Sequence, residues 1–320
     1  MKYFLLLSFF LIPNLTFAHT KWFAERELEP LLTDAPTGLY LTIWTLVILA
    51  IVAGGSWLER RRWLTLSFLE PKKSHAFPRA ASTFAMVVGA FLVIAGTHTY
   101  LFSPNLTTEA GIPLLLIYIQ ILLGLAFLLG LASRTSGLIL ALLWALQFPF
   151  SGWVTALENI WVLSTALFLT LMGNDYFSVT SFSILRPIVA PLKHYALSIL
   201  RVGTGLTLMV LGLSEKILAP EYGVNFLSNH HWNFMSTFPL PFSDYLFTLS
   251  AGSVEFLFGL IFLLGICTRL NALVVAFVFT IPLFILGPIE LAGHLPHFAA
   301  IVMLLLFGNG GHWLLVRPRN

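Results

Sequence analysis

The chain has 320 residues, of which 58% are hydrophobic and only 10% are charged, and its mean hydropathy is +0.89. Soluble globular domains carry about 25% charged residues, so this composition excludes a soluble domain and requires contact with lipid. The formal net charge of +3 does not indicate nucleic-acid binding, because the basic residues lie in short connections between apolar segments, where they act as topology signals.

The first segment has the features of an export signal. Lys2 provides a charged n-region, residues 3–12 are apolar, and Thr16-Phe17-Ala18 offers the small residues of a cleavage site. We therefore predict a signal peptide at 1–18 and a mature chain that begins at His19.

Nine apolar segments with lengths that suit membrane helices follow the signal. They cover residues 38–58, 80–102, 113–132, 136–150, 156–172, 195–214, 247–266, 270–287 and 294–310. The sequence therefore predicts an all-α integral membrane protein with about nine transmembrane helices.

The basic residues favour one side of this bundle. Six of them lie between the first two predicted helices, and others occupy every second connection after that: Arg60, Arg61, Arg62, Lys72, Lys73, Arg79, Arg134, Arg186, Lys193, Arg269, Arg317 and Arg319. Positively charged connections stay in the cytoplasm. We expect a multi-pass protein of the bacterial inner membrane, with the mature N-terminus outside and the C-terminus in the cytoplasm.

The sequence also repeats itself. A shift of 135 residues superimposes glycines and an arginine, and a shift of 116 residues superimposes earlier glycines: Gly124 on Gly259, Gly130 on Gly265, Arg134 on Arg269, Gly152 on Gly287, Gly89 on Gly205 and Gly96 on Gly212. This pattern predicts a lead segment at 19–79 and two parallel four-helix units at 80–194 and 195–320. In this interpretation the glycines allow close packing of membrane helices.

Several short motifs in the second unit resemble the DoxX/DoxD-like family of four-helix membrane proteins. They are Leu200-Arg201-Val202-Gly203, Gly212, Glu215-Lys216, Glu255 with Gly259, Leu264-Gly265 and Thr268-Arg269. The resemblance covers 195–310 well and 80–176 more weakly, with Gln120 in place of Glu255. It implies an inner-membrane protein of redox-linked role, because the family includes a small subunit of a thiosulfate:quinone oxidoreductase, but it supplies no catalytic residue.

Ionisable side chains inside a membrane are costly and therefore indicate function or a specific structural pairing. The second unit contains five such residues toward the outer half of the membrane: Glu215, Lys216, Glu255, His294 and His297. His294 and His297 are three residues apart and share one helix face. We hypothesise that Glu255 faces one of these histidines; an interhelical polar clamp is the alternative.

A metal site is a second hypothesis for the same side of the membrane. Imidazoles are suitable ligands for copper and zinc, and the candidates are His19, His230, His231, His294 and His297. The single cysteine, Cys267, excludes an intrachain disulfide and a cysteine-based zinc or iron–sulfur site.

Three functions remain open from the sequence, and the third is that of a structural partner for another membrane complex. The first is an accessory subunit of a quinone- or redox-linked membrane system, without catalytic activity of its own, which contacts lipid and a periplasmic or membrane redox partner and has quinone as its cofactor. The second is a transporter or a copper- or zinc-handling protein that uses the outward histidines and Glu255.

Overall fold

The computed structural model describes residues 37–179, 184–238, 242–287 and 289–316. Within these ranges the chain is helical and contains no β-strand, so the predicted all-α class is confirmed there. The predicted signal peptide, His19 and the basic residues Arg317 and Arg319 lie outside the described residues.

The helices follow the predicted apolar segments closely. Their bounds are α1 Thr37–Arg60, α2 Ala76–Thr97, α3 Leu114–Leu129, α4 Ser133–Leu146, α5 Phe148–Glu158, α6 Ile160–Met172, α7 Ala196–Gly212, α8 Pro220–His230, α9 Asp244–Leu264, α10 Thr268–Leu286 and α11 Ile289–Phe307. Short helical turns at Arg186–Val189 and Ala190–Tyr195 lead into α7.

Among the described residues, four helical segments are long and apolar enough to cross a membrane: α1, α2, the segment that contains α7, and α9. A fifth is added if α4 and α5 together form one span. Helices α3 and α6, and the apolar parts of α10 and α11, are shorter. The prediction of nine spans therefore depends on these shorter helices.

The main departure from the predicted helices is a sharp bend between α4 and α5. The two helices meet at an angle of 107° on either side of Gln147. A second kink interrupts α5 at Gly152, whose φ of 74° and ψ of 171° are not helical. Glycine adopts this backbone conformation without the steric penalty of a side chain. The sequence predicted two apolar segments here, 136–150 and 156–172, and did not predict α5 as a separate helix between them.

Glycine pairs bring two helix pairs into backbone contact. A Cβ atom on Gly89 would lie 2.6 Å from the carbonyl oxygen of Gly124, where α2 crosses α3. In the same way, a Cβ atom on Gly205 would lie 2.6 Å from the carbonyl oxygen of Gly259, where α7 crosses α9. Only glycine allows helices to pack this closely, as the sequence pattern indicated.

The two predicted units pack directly against each other. Helix α6 contacts α7, and α2 contacts α11, so each unit contributes its first and last helices to the interface. Trp161 of α6 and His297 of α11 meet there, with ring centroids 5.4 Å apart. This interface forms part of the walls of the candidate site.

Helix α1 lies against the second unit. At one end the Tyr40 hydroxyl lies 2.6 Å from the Ser250 hydroxyl, and at the other end the backbone N–H of Cys267 donates to the Glu59 carboxylate at 2.8 Å. Glu59 is a buried residue that the sequence interpretation did not single out, and its carboxylate ties α1 to the residue that precedes α10.

Candidate functional site

We name the two ends of the helical bundle after side chains that they carry. The histidine end carries His98, His230, His294 and His297; the arginine end carries Arg134, Arg201 and Arg269, together with His194 and His312. Most of the predicted site residues lie at the histidine end of the second unit.

The helical turn after α7 carries two of the predicted site residues, Glu215 and Lys216. Residues Leu213–Ile217 form a π-helical turn, and the N–H of Leu218 donates to the carbonyl of Leu213 at 2.8 Å. Pro220 then opens α8, because proline cannot continue the preceding helix but is suited to a first turn. Single π turns within helices are frequent at functional sites.

Lys216 forms an ion pair with Glu255. The Lys216 ammonium donates to a Glu255 carboxylate oxygen at 2.6 Å, and each side chain is 16% exposed. Gly212 and Gly252 allow this approach of α7 and α9, since a Cβ atom on either would meet the backbone of the other helix. The pair therefore links the two helices at the level of the histidine end.

The ion pair lies in the wall of a large apolar cavity of about 370 Å³. Its wall is mainly aromatic and aliphatic, and its polar members include Lys216, Glu255 and His294. Aromatic side chains come from α8, the connection after it, α9 and α10: Phe226, Trp232, Phe234, Phe247, Phe258 and Phe279. We call this space the apolar cavity.

Next to it lies a much smaller polar pocket of about 20 Å³ at the interface of the two units. Two carboxylates and an imidazole line it: Glu158, Glu215 and His297. Asn159, Ser103 and Asn105 also line the polar pocket, and the Ser214 hydroxyl donates to Glu158 at 2.9 Å. A space of this size accommodates one water molecule.

His294 and His297 stand between the two spaces. Both are at least nine-tenths buried on α11, and their ring centroids are 6.2 Å apart. His294 lines the apolar cavity and His297 lines the polar pocket. Helix α11 begins at Ile289, earlier than the predicted 294, so these histidines lie in its interior with Pro296 between them.

The arginine end is held by backbone contacts. The buried guanidinium of Arg201 donates to carbonyl oxygens at the end of α9 and after α11, namely those of Phe262, Leu263, Asn309, His312 and Trp313. A cation at a helix C-terminus complements the helix dipole and the free carbonyls. Arg201 thus joins the end of α9 to the segment that follows α11.

In the first unit, the buried Arg134 is paired with Asp175, whose carboxylate accepts from both terminal guanidinium nitrogens at 2.6 and 2.7 Å. Partial burial alone would raise the pKa of Asp175, but the hydrogen bonds and charge of Arg134 outweigh it and lower that pKa below its usual range. Arg269, the predicted counterpart, pairs instead with Glu70 at 2.7 Å.

Among its described residues, the first unit has no counterpart of this ion pair. Gln120, at the position predicted to match Glu255, is fully buried and bonded only to backbone. Its side chain accepts from the N–H of Phe102 at 2.8 Å and donates to the carbonyls of Leu92 and Tyr100 at 3.1 Å. Gln120 therefore fixes the connection after α2.

The structure divides the predicted cluster between the two spaces. Lys216, Glu255 and His294 share the apolar cavity, whereas Glu215 and His297 belong to the polar pocket. His230 and His231, at the end of α8, line neither space, and the described residues contain no group of three or more His, Cys, Asp or Glu side chains that suits a metal ion.

Sequence reasoning missed Glu158, the second carboxylate of the polar pocket. It ends α5 and faces the second unit across the interface, so no spacing within the second unit points to it. An acidic residue next to Asn159, the predicted counterpart of His294, was the available signal.

Comparison with known families agrees with the resemblance seen in the sequence. Residues 196–288 match the model of the DoxX family, a range that runs from α7 to the end of α10. The matched range contains Lys216 and Glu255. No curated protein matches the chain, and no solved structure matches it either.

Proposed function

We propose that this DoxX-domain membrane protein binds a quinone-class molecule in the apolar cavity and serves as an accessory subunit of a redox-linked membrane system. The observation that carries the proposal is the cavity itself, which has a volume of about 370 Å³ and a mostly apolar wall with a few convergent polar groups. Small-molecule sites usually have volumes of about 300–1,000 Å³ and this kind of lining.

The wall suits the chemistry of a quinone. A quinone head group is a flat apolar ring with two carbonyl oxygens, and aromatic side chains such as Trp232 and Phe279 would pack against its faces. Lys216 has three N–H donors, of which the Glu255 contact uses one. His294, in the same wall, provides a second polar group for an oxygen of the ring.

The redox link rests on the family resemblance, and the DoxX match over 196–288 covers the helices that build most of the cavity. We assign no catalytic activity to this chain alone. In this proposal a periplasmic or membrane partner protein exchanges electrons with the quinone, and the second unit holds the head group in position.

Quinone binding is tested directly by tryptophan fluorescence. A short-chain benzoquinone added to the purified protein in detergent should quench Trp232, and Trp232→Phe should remove that part of the signal. Loss of one hydrogen bond from a charged donor costs about 1.5–3 kcal/mol, so Lys216→Met should weaken binding by about tenfold or more. Lys72→Met is the control, because Lys72 is exposed and far along the chain from the cavity. Equal quenching in all four proteins would reject the proposal.

The alternative is a transporter or a copper- or zinc-handling protein. The observation in its favour is that buried carboxylates and imidazoles line two adjoining spaces at one end of the bundle. Organic extraction and metal analysis of protein purified without chelators separate the two functions. Quinone in the extract supports the first, and stoichiometric copper or zinc supports the second.

We also infer that residues 80–194 and 195–320 are two related four-helix units in a bacterial inner membrane, with the mature N-terminus outside. The matched backbone supports this duplication: Gly130 and Gly265 end α3 and α9 with φ of 65° and 69°. Ala132 and Cys267, which precede α4 and α10, have φ of 43° and 42°. The differences, Gln120 against Glu255 and Asn159 against His294, support a ligand site in the second unit.

A further inference from the structure

The segment that leads from the first unit into the second carries positive charge and apolar surface at the arginine end. Residues 186–195 form two short helical turns directly before α7. The Arg186 side chain is 55% exposed and Lys193 is partly exposed. Ile188 and Leu192, in the same turns, also expose much of their side chains. The turns therefore combine two chemistries that the head and the tails of a lipid would meet.

The length of the segment indicates its depth in the membrane. The apolar helical segment that contains α7 runs from Arg186 to Ile217 and has 32 residues, whereas a hydrocarbon core needs about 20. The part after Tyr195 already supplies about that number. Tyr195 also stacks on Trp313, with ring centroids 5.5 Å apart, and both residue types are enriched at membrane interfaces. Residues 186–195 are therefore expected at the level of the phospholipid headgroups.

One carboxylate serves several cations at this place. Asp175 accepts from the buried Arg134 with both of its oxygens, at 2.6 and 2.7 Å. The same carboxylate lies 3.8 Å from the Arg186 guanidinium. Lys193 interacts electrostatically with all three of these side chains. Within this group of four described residues, positive charge exceeds negative charge by two.

A fifth charged side chain increases the excess. The Arg79 guanidinium lies over the ring of Tyr176, at 4.6 Å from its centroid, and Tyr176 follows Asp175 in the chain. Guanidinium groups bind phosphate through paired hydrogen bonds, and an ammonium group adds a compact positive charge. The arginine end is also the end predicted to face the cytoplasm, where the leaflet is rich in anionic lipids.

We propose that residues 186–195 bind one anionic phospholipid, whose phosphate is held by Arg186 and Lys193 and whose acyl chains run along Ile188 and Leu192. The excess of positive charge favours a lipid with a net negative charge over a zwitterionic one. Arg79 adds to the attraction from the start of α2, so the lipid contacts both units. The site lies at the opposite end of the bundle from the apolar cavity and does not depend on quinone binding.

Native mass spectrometry of the full chain, released from a non-ionic detergent, measures the binding of phosphatidylglycerol and of phosphatidylcholine. The site variant is Arg186→Gln with Lys193→Gln. The matched control is Lys72→Gln with Lys73→Gln, which removes the same charge from exposed residues of the connection between α1 and α2. Arg186→Gln alone replaces the site variant if the latter does not fold. Inorganic phosphate is added in competition to distinguish a lipid site from a site for free phosphate.

We expect the unmodified protein to bind phosphatidylglycerol in preference to phosphatidylcholine. The site variant should lose about tenfold or more of its affinity for phosphatidylglycerol, because it removes two basic residues near an anionic headgroup. The control variant should bind as the unmodified protein does. Equal losses in both variants would overturn the proposal, since general surface charge would then explain the binding. Equal binding of the two lipids, or displacement of the lipid by an equal concentration of inorganic phosphate, would overturn it too.

Discussion

The ion pair between Lys216 and Glu255 allows a ligand-binding role to be separated from a structural one. Glu255→Gln leaves the ammonium without its counter-charge in a largely buried position, and we expect the free energy of unfolding to fall by about 1–3 kcal/mol. In the double variant Lys216→Met with Glu255→Leu, an apolar contact replaces the pair, and most of the lost stability should return. Thermal unfolding in detergent measures the stability, and quinone quenching measures the binding.

The double variant should remain folded and still fail to bind quinone. If it is stable and binds as the unmodified protein does, the ion pair is a structural clamp and the cavity assignment is wrong. Gln120→Ala provides the matched control in the first unit. It removes three hydrogen bonds to backbone and should lower stability, but quinone binding should remain because no residue of α3 is among those that line the cavity.

Asp175 should make the protein sensitive to acid. Its pKa is lowered in the folded state because Arg134 outweighs the effect of burial, so its contribution to stability is present above the ordinary carboxyl pKa of 3.8. The contribution is lost as the pH falls through the lower folded value. Thermal unfolding between pH 7 and pH 3 should show Asp175→Asn to be less stable at pH 7, with the difference from the unmodified protein shrinking below about pH 4. A constant difference would contradict the assignment.

At the level of helices, close contacts between glycines join α2 to α3 in the first unit and α7 to α9 in the second. An added Cβ on Gly205 or Gly89 would collide with the backbone of the neighbouring helix. Overpacking of this kind costs about 1–3 kcal/mol, so Gly205→Ala and Gly89→Ala should each lower the unfolding temperature. Gly54→Ala in α1 is the control, because nothing lies within 4 Å of its added Cβ. If only one of these two substitutions lowered the unfolding temperature, the two helix pairs would not be equivalent.

The sequence was sufficient for the helices that are continuous and apolar, since α9 and α10 lie within about three residues of their predicted bounds. Their ends are marked by local chemistry: the Ser243 hydroxyl caps the start of α9, and Gly265 takes the left-handed conformation at its end. Helices α5 and α8 were not predicted. Their directions depend on the 107° bend between α4 and α5 and on the packing of α8 against α9, neither of which produces a long apolar segment.

The site was predictable only where one helix carries the residues. The spacing of His294 and His297 predicts a shared helix face, and their ring centroids lie 6.2 Å apart, although the two side chains line different spaces. Glu255 lies inside α9, within a predicted apolar segment. The consecutive residues Glu215 and Lys216 line different spaces, and which neighbouring helices surround each side chain depends on long-range packing. Glu158 joins the polar pocket through contacts between the units, and such long-range packing is not encoded in local spacing.

On the scale of the whole molecule, exposed apolar side chains show which surfaces require lipid. Helix α1 has no buried residue within its apolar window, and α3 and α10 expose large side chains such as Leu122 and Phe277. The first and last helices of each unit are instead buried against the other unit. This division is that of a membrane bundle whose interior holds the polar groups and whose perimeter faces hydrocarbon.

Topology reporters test whether the shorter helices cross the membrane. We expect a periplasm-active reporter at Asn229, in α8, to be active, and the same reporter in the basic connection at 65–75 or after Asn320 to be inactive. Between the basic connection and Asn229 the chain passes through α2, α3, the bent pair α4 and α5, α6 and α7. If each of these counts as one span, the number of crossings is odd and the two positions lie on opposite sides.

Because the bent pair meets at 107°, it is the segment that could turn back without crossing. The number of crossings would then be even, and the reporters at 65–75 and at Asn229 would lie on the same side. That result would reject the nine-span arrangement and make α4 and α5 a re-entrant loop at the interface beside Glu158.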